Sequence, residues 1–311
     1  MTLALAASVT AAPPPICVTL PADWVSAQLA QARLQPAAQR LMMPPAAGTA
    51  KNWAAYRDRF VEPQRIAAGI RFWNDHDAWL ARAQARWGVP AQVVVGIVGV
   101  ETFYGRILGD FRVLDVLATL AFDFPAGRSD RSAFFRGELE AFLLLCRREG
   151  LAPAAPKGSY AGAIGLPQFM PSSINRHAVD FDGDGRIDLV GSAADAIGSV
   201  ANYLAAHGWQ RDLAVTFDVA VPVDASARAT LLQPDIVPSF DAARMAELGA
   251  ELDAAARDHE GLLALVELQN GAAAPTYVAG TQNFYALTRY NWSSYYAMAV
   301  IALGEAVKRR R

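Results

Sequence analysis

The chain has 311 residues, of which 53% are hydrophobic and 19% are charged, with a formal net charge of -2. This composition excludes extensive disorder and allows a sizeable hydrophobic core in one large domain or in two to three smaller ones. The near-neutral charge, with no basic block except Lys308–Arg311, argues against nucleic acid as a partner. No run of 18 or more apolar residues is present, so the sequence predicts no transmembrane segment.

Residues 1–20 are predicted to form a disordered or signal-like tail, because they combine apolar and small residues but lack the basic first region of a secretory signal. We interpret this tail as favouring export. Further along the chain, apolar residues at helical spacing predict helices from Trp24 to about Gln39, from Tyr56 to Phe60 and from Ile66 to Trp87.

The next segment, Val93–Val100, could form a strand or a helix. Its β-branched residues favour a strand, whereas its apolar side chains recur at i, i+3, i+4 and i+7, as they do on one face of a helix. We interpret it as a buried helix with Glu101 near its C-terminal end. Further helices are predicted over Val113–Phe122, Phe134–Arg148 and Ala193–His207.

The character of the sequence changes in the last third of the chain. Alternating apolar residues from Leu213 to Val221 predict a half-buried strand, and the segment from Leu265 to Val278 predicts a second patch of strand and turn. An Ala-rich helix is predicted over Asp241–Arg257, and a final helix over Phe284–Val307. We therefore predict a mainly α fold of the α+β class, in which residues 211–283 form a small α/β segment.

Glu101 is the most informative residue, because it follows an almost uncharged run that begins at Pro90. Burial disfavours a charged carboxylate and raises its pKa, so Glu101 could hold a proton near neutral pH and act as a general acid. The alternative is a structural role, in which Glu101 caps its element or pairs with Arg106. From this segment alone the two interpretations have about equal weight.

A second signal is the segment Asp180–Asp188, which matches the first nine positions of an EF-hand loop. Its candidate metal ligands are oxygen atoms at positions 1, 3, 5 and 7, supplied by Asp180, Asp182, Asp184 and the Arg186 carbonyl. Position 12, normally a bidentate Glu, is Gly191, and Asp195 could close the site instead. The alternative is an Asp- and Gly-rich surface turn, in which the carboxylates would repel one another without a cation. We therefore predict a structural Ca²⁺ site.

Two further segments could bind an extended ligand. Residues 158–172 are rich in Gly and Ala, which allow close approach of a ligand, and also contain hydrogen-bonding side chains. Residues 283–296 are dense in Tyr, Trp and Asn, which can stack on sugar faces and bond hydroxyl or acetamido groups. Each segment also has a purely structural interpretation, as a packed loop or as an aromatic core helix.

These four features, in this order, resemble the membrane-bound lytic murein transglycosylase B family, bacterial enzymes that cleave peptidoglycan. The resemblance extends from about Trp53 to the C-terminus, and it is most specific at Gly96–Thr102, Ala118–Phe122, Gly165–Ser173, Ala196–Tyr203 and Tyr290–Asn291. It implies a lysozyme-like catalytic core, predicted over residues 81–210, within a largely helical protein. Residues 21–80 and 284–311 would form a helical domain that packs on this core.

The site residues follow from the same resemblance. Glu101 matches the single catalytic acid of the family, and the acidic loop matches its calcium loop. The residues that match or lie near the glycan groove are Tyr56, Ser159, Gln168, Tyr203, Asn291 and Tyr296. One departure is the segment Phe124–Arg131, where the family often has Tyr-Pro-Arg-Arg, so substrate contacts on that side are not carried over.

The resemblance implies a one-acid reaction on the β-1,4 bond between N-acetylmuramic acid and N-acetylglucosamine. Protonated Glu101 would donate to the glycosidic oxygen, and its carboxylate would then deprotonate the muramoyl C6 hydroxyl, which attacks C1 to form a 1,6-anhydro ring. One alternative is a hydrolytic muramidase, which needs a second carboxylate. The candidates near Glu101 in sequence are by default surface or structural residues: Asp110, Asp115 and Asp123. The other alternative is a non-catalytic, calcium-dependent glycan-binding protein.

The expected partners and location follow from this activity. Peptidoglycan glycan strands are the expected partner of a protein that we predict to be a monomer. The periplasm is the expected location, where the protein could be associated with the outer membrane.

Overall fold

The protein is built mainly from helices. The computed structural model describes residues 20–43 and 51–311, so the predicted tail lies outside the described residues except for Leu20. The helices in these ranges are α1 (Ala22–Leu29), α2 (Pro36–Leu41), α3 (Trp53–Asp58), α4 (Pro63–Asp75), α5 (Asp77–Trp87), α6 (Ala91–Thr102), α7 (Val113–Phe122), α8 (Ser132–Arg148), α9 (Pro171–His177), α10 (Ala193–Ala206), α11 (Ala225–Leu232), α12 (Ala242–Glu247), α13 (Ala254–Arg257), α14 (Gln282–Thr288) and α15 (Ser294–Arg310). The strands are β1 (Phe111–Arg112), β2 (Lys157–Gly158), β3 (Thr216–Phe217), β4 (Val219–Ala220), β5 (Glu251–Leu252), β6 (Ala264–Asn270) and β7 (Ala273–Gly280). The predicted mainly α class is confirmed.

Helix α6 confirms the helical interpretation of the ambiguous Val-rich segment. Its residues from Val93 to Gly99 are all buried, so tertiary packing on every side outweighs the strand preference of the β-branched residues. Pro90 precedes the first turn, where a missing N–H is tolerated. The helices predicted over 113–122, 134–148 and 193–207 are also confirmed, as α7, α8 and α10.

Three predicted helices are each divided in two. The segment Trp24–Gln39 forms α1 and α2, because Pro36 can begin a helix but cannot continue one. The segment Ile66–Trp87 forms α4 and α5, which meet at His76 outside helical geometry. The segment Phe284–Val307 forms α14 and α15. As continuous elements, all three predictions are wrong.

The small α/β segment differs more from its prediction. The prediction of one helix over Asp241–Arg257 is wrong. Gly249 turns the chain with a φ of 85°, and after β5 a new helix begins, which Asp253 caps. The strand predicted over Leu213–Val221 is reduced to β3 and β4, which pair with β7 and β5 respectively. The second predicted patch of strand and turn is confirmed as the antiparallel hairpin of β6 and β7.

The crossing of α6 and α15 fixes the position of Glu101. The two helices run antiparallel, so that Gly96 faces Val300 near the middle and Glu101 faces Tyr296 at one end. A side chain at Gly96 or Gly304 would overlap the backbone of the opposing helix. Small residues at the crossing therefore allow the two helix axes to approach closely enough for this pairing.

Two hydrophobic clusters fill the described part of the molecule. The larger one extends from Ala38 to Val307, and the smaller one lies within the α/β segment. Strand β6 contributes to both clusters, because successive side chains of a strand point to opposite faces. Val266 and Leu268 enter the larger cluster, whereas Leu265 enters the smaller one. The division of the chain into domains stays a prediction.

The helices also bear on the expected absence of a membrane span. None of those found in residues 20–43 and 51–311 combines the length and the hydrophobicity needed to cross a bilayer.

Candidate active site

Glu101 lies in the last turn of α6, where the chain leaves the helix through two left-handed residues. Phe103 and Tyr104 have φ angles of 52° and 56°, a conformation that is uncommon for large side chains. Glu101 is half-buried, and its Oε1 accepts a hydrogen bond of 2.5 Å from the Tyr296 hydroxyl. The alternative pairing with Arg106 is not found: that guanidinium lies 4.7 Å from the Phe103 ring centroid, and within residues 20–43 and 51–311 no cation forms an ion pair with Glu101.

Burial is the dominant influence on the acidity of Glu101. It raises the pKa of this carboxyl to about 7, and the hydrogen bond from Tyr296, which favours the ionised form, opposes the rise only in part. At neutral pH such a group is protonated in about half of the molecules, so it can donate a proton and accept one in turn. The geometry therefore provides a general acid and base in one side chain.

Three tyrosines form a row of contacting rings that begins at Tyr296, the hydrogen-bond donor to Glu101. The rings of Tyr296 and Tyr290 are nearly parallel, at 18°, with centroids 6.2 Å apart, and Tyr203 follows at 4.9 Å from Tyr290. The Tyr290 hydroxyl donates to the Pro167 carbonyl at 2.9 Å. Two of the three, Tyr203 and Tyr296, are predicted groove residues. Tyr290 belongs to the predicted aromatic segment but is not among the predicted groove residues, and the aromatic density of that segment is the signal that could have identified it.

The Gly-rich loop after β2 forms another side of the site. The Thr102 hydroxyl, next to Glu101 in the chain, donates to the Leu166 carbonyl at 3.0 Å and ties this loop to α6. Ser159 Oγ accepts hydrogen bonds from the Ala161 and Ala163 N–H groups at 3.3 and 3.1 Å. The hydroxyl hydrogen of Ser159 has no acceptor among the described residues, so it is available to a ligand.

Gln168 adopts a left-handed backbone conformation in the same loop, and hydrogen bonds of its side chain hold it there. Its φ is 49°, and its side-chain amide donates to the Gly165 carbonyl at 2.9 Å and to the Leu108 carbonyl at 3.3 Å. Its side-chain oxygen is not engaged by any described residue. A role for Ser159 or Gln168 in glycan binding stays a prediction.

The two remaining predicted groove residues come from opposite ends of the chain. Tyr56 is half-buried on α3, and its ring lies edge-on to Tyr295 at 5.9 Å. Burial raises the pKa of Tyr56, Arg59 opposes this, and the charge of Glu101 adds to the rise, which indicates that Tyr56 lies near Glu101. Asn291 is exposed just before α15.

The other acidic residues near Glu101 in sequence have structural contacts or are exposed. Asp115 is buried, accepts the Arg33 N–H at 3.1 Å and pairs with Arg112 at 3.4 Å. Asp123 accepts the side-chain amide of Gln39 at 2.9 Å. Asp110 is exposed. All three therefore agree with the default interpretation as surface or structural residues.

The acidic loop precedes α10. The carboxylates of Asp180, Asp182 and Asp184 each place an oxygen within 4.8 Å of the others, a donor set that suits a hard cation such as Ca²⁺. Burial would raise the pKa of Asp180, but the N–H groups of Gly185, Gly183 and Asp184 outweigh it and lower that pKa. The loop is therefore preorganised in the ionised form that binds a cation.

Asp195 holds the two ends of this loop together. It is buried at the start of α10, and its oxygens accept the N–H groups of Phe181 and Asp188 at 2.7 and 2.8 Å. Burial raises the pKa of Asp195, and these hydrogen bonds act against the rise. Asp195 does not belong to the group of three carboxylates, and its predicted role as a ligand stays a prediction.

Comparison with known proteins gives a consistent result. The chain matches the transglycosylase SLT domain family over residues 19–305. It is 43% identical over 263 residues to the membrane-bound lytic murein transglycosylase B of Escherichia coli (strain K12), with 85% of this chain and 69% of the relative covered. The structure is similar to soluble lytic transglycosylase SltB1 from Pseudomonas aeruginosa, with a TM-score of 0.83, 39% identity and 93% of each chain covered. It is also similar to the Escherichia coli lytic transglycosylase Slt35 in complex with calcium, with a TM-score of 0.79, 40% identity and coverage of 93% of this chain and 88% of that one.

Proposed function

The chain belongs to the transglycosylase SLT domain family and is a peptidoglycan lytic transglycosylase, and on this premise we propose that Glu101 performs both proton transfers of the cleavage reaction. Family membership confirms the resemblance read from the sequence, the lysozyme-like fold and the enzyme class. The observation that carries the proposal is the half-buried carboxyl of Glu101, whose pKa is raised to about 7.

In the first step, protonated Glu101 donates to the glycosidic oxygen between N-acetylmuramic acid and N-acetylglucosamine. The C1–O bond breaks, and the leaving sugar departs as an alcohol. In the second step, the Glu101 carboxylate removes the proton of the muramoyl C6 hydroxyl, and that oxygen attacks C1 to close a 1,6-anhydro ring. The proton lost in the first step is regained in the second, so no water is consumed and no second protein carboxylate is required.

The surrounding side chains would bind the glycan and shield the proton of Glu101 from water. Tyr296 orients Glu101 through its hydrogen bond and, with Tyr290, offers a ring surface that limits access of water. The unengaged hydroxyl hydrogen of Ser159 and side-chain oxygen of Gln168 would bond polar groups of the sugars. The proposed site is built without a residue from a second subunit, and a monomeric state stays our prediction.

A calcium ion is proposed for the acidic loop, held by Asp180, Asp182, Asp184 and the Arg186 carbonyl. The spacing of the three carboxylates and the calcium bound to a structural relative both support this assignment. The ion would neutralise the repulsion among the carboxylates and stabilise the loop that leads into α10. A periplasmic location is also proposed, because the substrate of this enzyme class lies in the cell envelope.

Product analysis tests the reaction. Purified sacculi digested with the protein are expected to give muropeptides that end in 1,6-anhydro-N-acetylmuramic acid, which mass spectrometry identifies by the loss of one water from the reducing sugar. Reducing ends bearing a free hydroxyl would instead identify a hydrolytic muramidase and reject the internal attack.

A further inference from the structure

Three arginines carried on aromatic rings lie beside the active site. Their guanidinium groups, those of Arg59, Arg65 and Arg106, rest on the rings of Tyr56, Phe60 and Phe103, and these six residues are called the arginine rim. Arg59 lies 5.8 Å from the Tyr56 centroid and Arg106 lies 4.7 Å from the Phe103 centroid. Arg65 is placed between two rings, 5.1 Å from Phe60 and 4.5 Å from Phe103. The rim is continuous, since the Tyr56 and Phe60 centroids are 5.2 Å apart.

The rim adjoins Glu101 at both of its ends. At one end, the Tyr56 ring lies 5.9 Å from that of Tyr295, the chain neighbour of the Tyr296 that donates to Glu101. At the other end, Phe103 follows Glu101 by two residues in the turn that leaves α6. A ligand bound at Glu101 would therefore meet the rim with any group that extends past Tyr56 or Phe103.

The positive charges of the rim are not neutralised within the protein. In residues 20–43 and 51–311, no carboxylate lies within 4.0 Å of these three guanidinium groups. The remaining residues contain no Asp or Glu, so they cannot supply a partner. Glu62 influences Arg65 electrostatically, but its two oxygens accept the N–H groups of Gln64 and Arg65 at the start of α4.

Arg65 carries the strongest sign of a missing partner. Its Nε and Nη1 are buried, and neither has an acceptor among the described residues. A buried charged donor without an acceptor is costly, and a guanidinium presents paired N–H groups that match a carboxylate. Stacking on two rings holds the guanidinium in place, and because its Nε and Nη1 are covered by protein, Arg65 would act on an anion as a fixed positive charge.

Given the proposed function, on which this inference rests, we propose that the arginine rim binds the carboxylates of the peptide stem attached to the muramoyl residue at the cleavage site. The glycan backbone of the substrate is uncharged where the lactyl group is amide-linked to the peptide. The anionic groups of peptidoglycan near the scissile bond are therefore those of the stem. The rim would make the enzyme prefer strands that keep their peptides.

Kinetics on three forms of one substrate test the proposal. The forms are peptide-bearing glycan strands, the same strands with their peptide carboxylates converted to amides, and strands freed of peptides by an amidase. The variant is Arg59→Gln/Arg106→Gln, because both side chains are exposed, whereas Arg65 is packed and stays intact. The control is Arg309→Gln/Arg310→Gln, which removes the same charge from exposed positions outside the rim.

The variant is expected to raise KM on peptide-bearing strands about two- to tenfold relative to wild type, the size expected for two exposed charge pairs, with kcat little changed. The rise is expected to shrink in high salt, and the ratio of KM on amidated to native strands, above one for wild type, is expected to fall toward one. The control is expected to match wild type.

Two outcomes would overturn the rim proposal. An equal rise in the KM of the variant on native and amidated strands would mean that the arginines do not bind the peptide carboxylates. A rise confined to peptide-free strands, whose lactyl carboxylates are exposed, would assign the rim to that group instead. Neither outcome touches the role of Glu101, which is judged separately by the loss of activity in Glu101→Gln on all three substrates.

Discussion

The fold shifts the pKa values of two carboxyl groups, those of Glu101 and Asp180, in opposite directions. Glu101 ends a buried helix, has one hydrogen-bond donor and no ion pair in the described part of the chain, and its pKa is raised to about 7. Asp180 lies in a loop whose turns aim three backbone N–H groups at its oxygens, and its pKa is lowered. The first environment keeps a proton, and the second keeps a negative charge.

The contrast lies in the backbone near each side chain. The N–H groups of α6 are used within the helix, so Glu101 receives little compensation for its burial. In the loop, Gly185 adopts a φ of 89°, which frees its N–H to bond Asp180. Helix and loop therefore convert the same functional group into a proton donor and into a cation ligand.

The largest expected effect is on activity. Replacement of Glu101 by Gln keeps the shape of the side chain but removes the transferable proton, and we expect turnover of sacculi to fall by about 10²–10⁴-fold. The measurement is the rate of release of anhydro-muropeptides, with Glu140→Gln, an exposed carboxyl on α8, as the control. Retention of wild-type turnover in Glu101→Gln would assign the proton transfers to another group.

The same substitution is expected to stabilise the fold at high pH. Glu101 has a pKa of about 7 in the folded state against a reference of 4.5, so the folded state binds the proton more tightly than the unfolded state. Its contribution to stability is therefore full below pH 4.5 and is lost as the pH rises to 7, by about 3 kcal/mol.

Chemical denaturation at pH 5 and pH 8 measures this effect. Because Gln does not titrate, Glu101→Gln should lose less stability than wild type between these two values, while Glu140→Gln should follow wild type. If both variants respond to pH as wild type does, Glu101 is not strongly desolvated in the folded protein.

The sequence predicts the two carboxylate groups well, because each has a local signal. The apolar run before Glu101 and the Asp spacing from Asp180 are visible without a structure. The hydrogen bond from Tyr296 to Glu101 joins residues that are 195 positions apart in the sequence, so no local sequence pattern predicts it. The division of the helix predicted over 284–307 has the same origin, since the break between α14 and α15 lets Ser293 cap α15 just before Tyr296 faces Glu101.

Calcium is expected to act on the loop and not on Glu101. At a Ca²⁺ concentration 100 times its dissociation constant, binding would stabilise the protein by about 2.7 kcal/mol. We expect the melting temperature to rise by several degrees when millimolar Ca²⁺ replaces a chelator. Asp184→Asn should remove most of this shift, and Asp258→Asn, an exposed position remote in sequence from the loop, should retain it. Identical melting temperatures with chelator and with Ca²⁺ would exclude a bound ion.

The smallest expected effect concerns Tyr296, which influences both the pKa and the orientation of Glu101. Tyr296→Phe removes the hydrogen bond that lowers the pKa of Glu101, so that pKa is expected to rise. A general acid with a higher pKa stays protonated to higher pH, and the alkaline limb of kcat/KM, which we expect near pH 7 in wild type, should therefore move upward. Below that limb, activity should fall about tenfold because the carboxyl is less well oriented, within the range for a hydrogen bond to a charged group.

Tyr295→Phe is the matched control, since the Tyr295 hydroxyl donates to the Gln269 carbonyl and not to Glu101. It should leave the alkaline limb in place. A lower activity of Tyr296→Phe with an unmoved limb would give Tyr296 a role in binding glycan alone. An upward shift of the limb would instead mean that the fold sets the acidity of Glu101 by two opposing means, with burial holding the proton and one tyrosine limiting how tightly it is held.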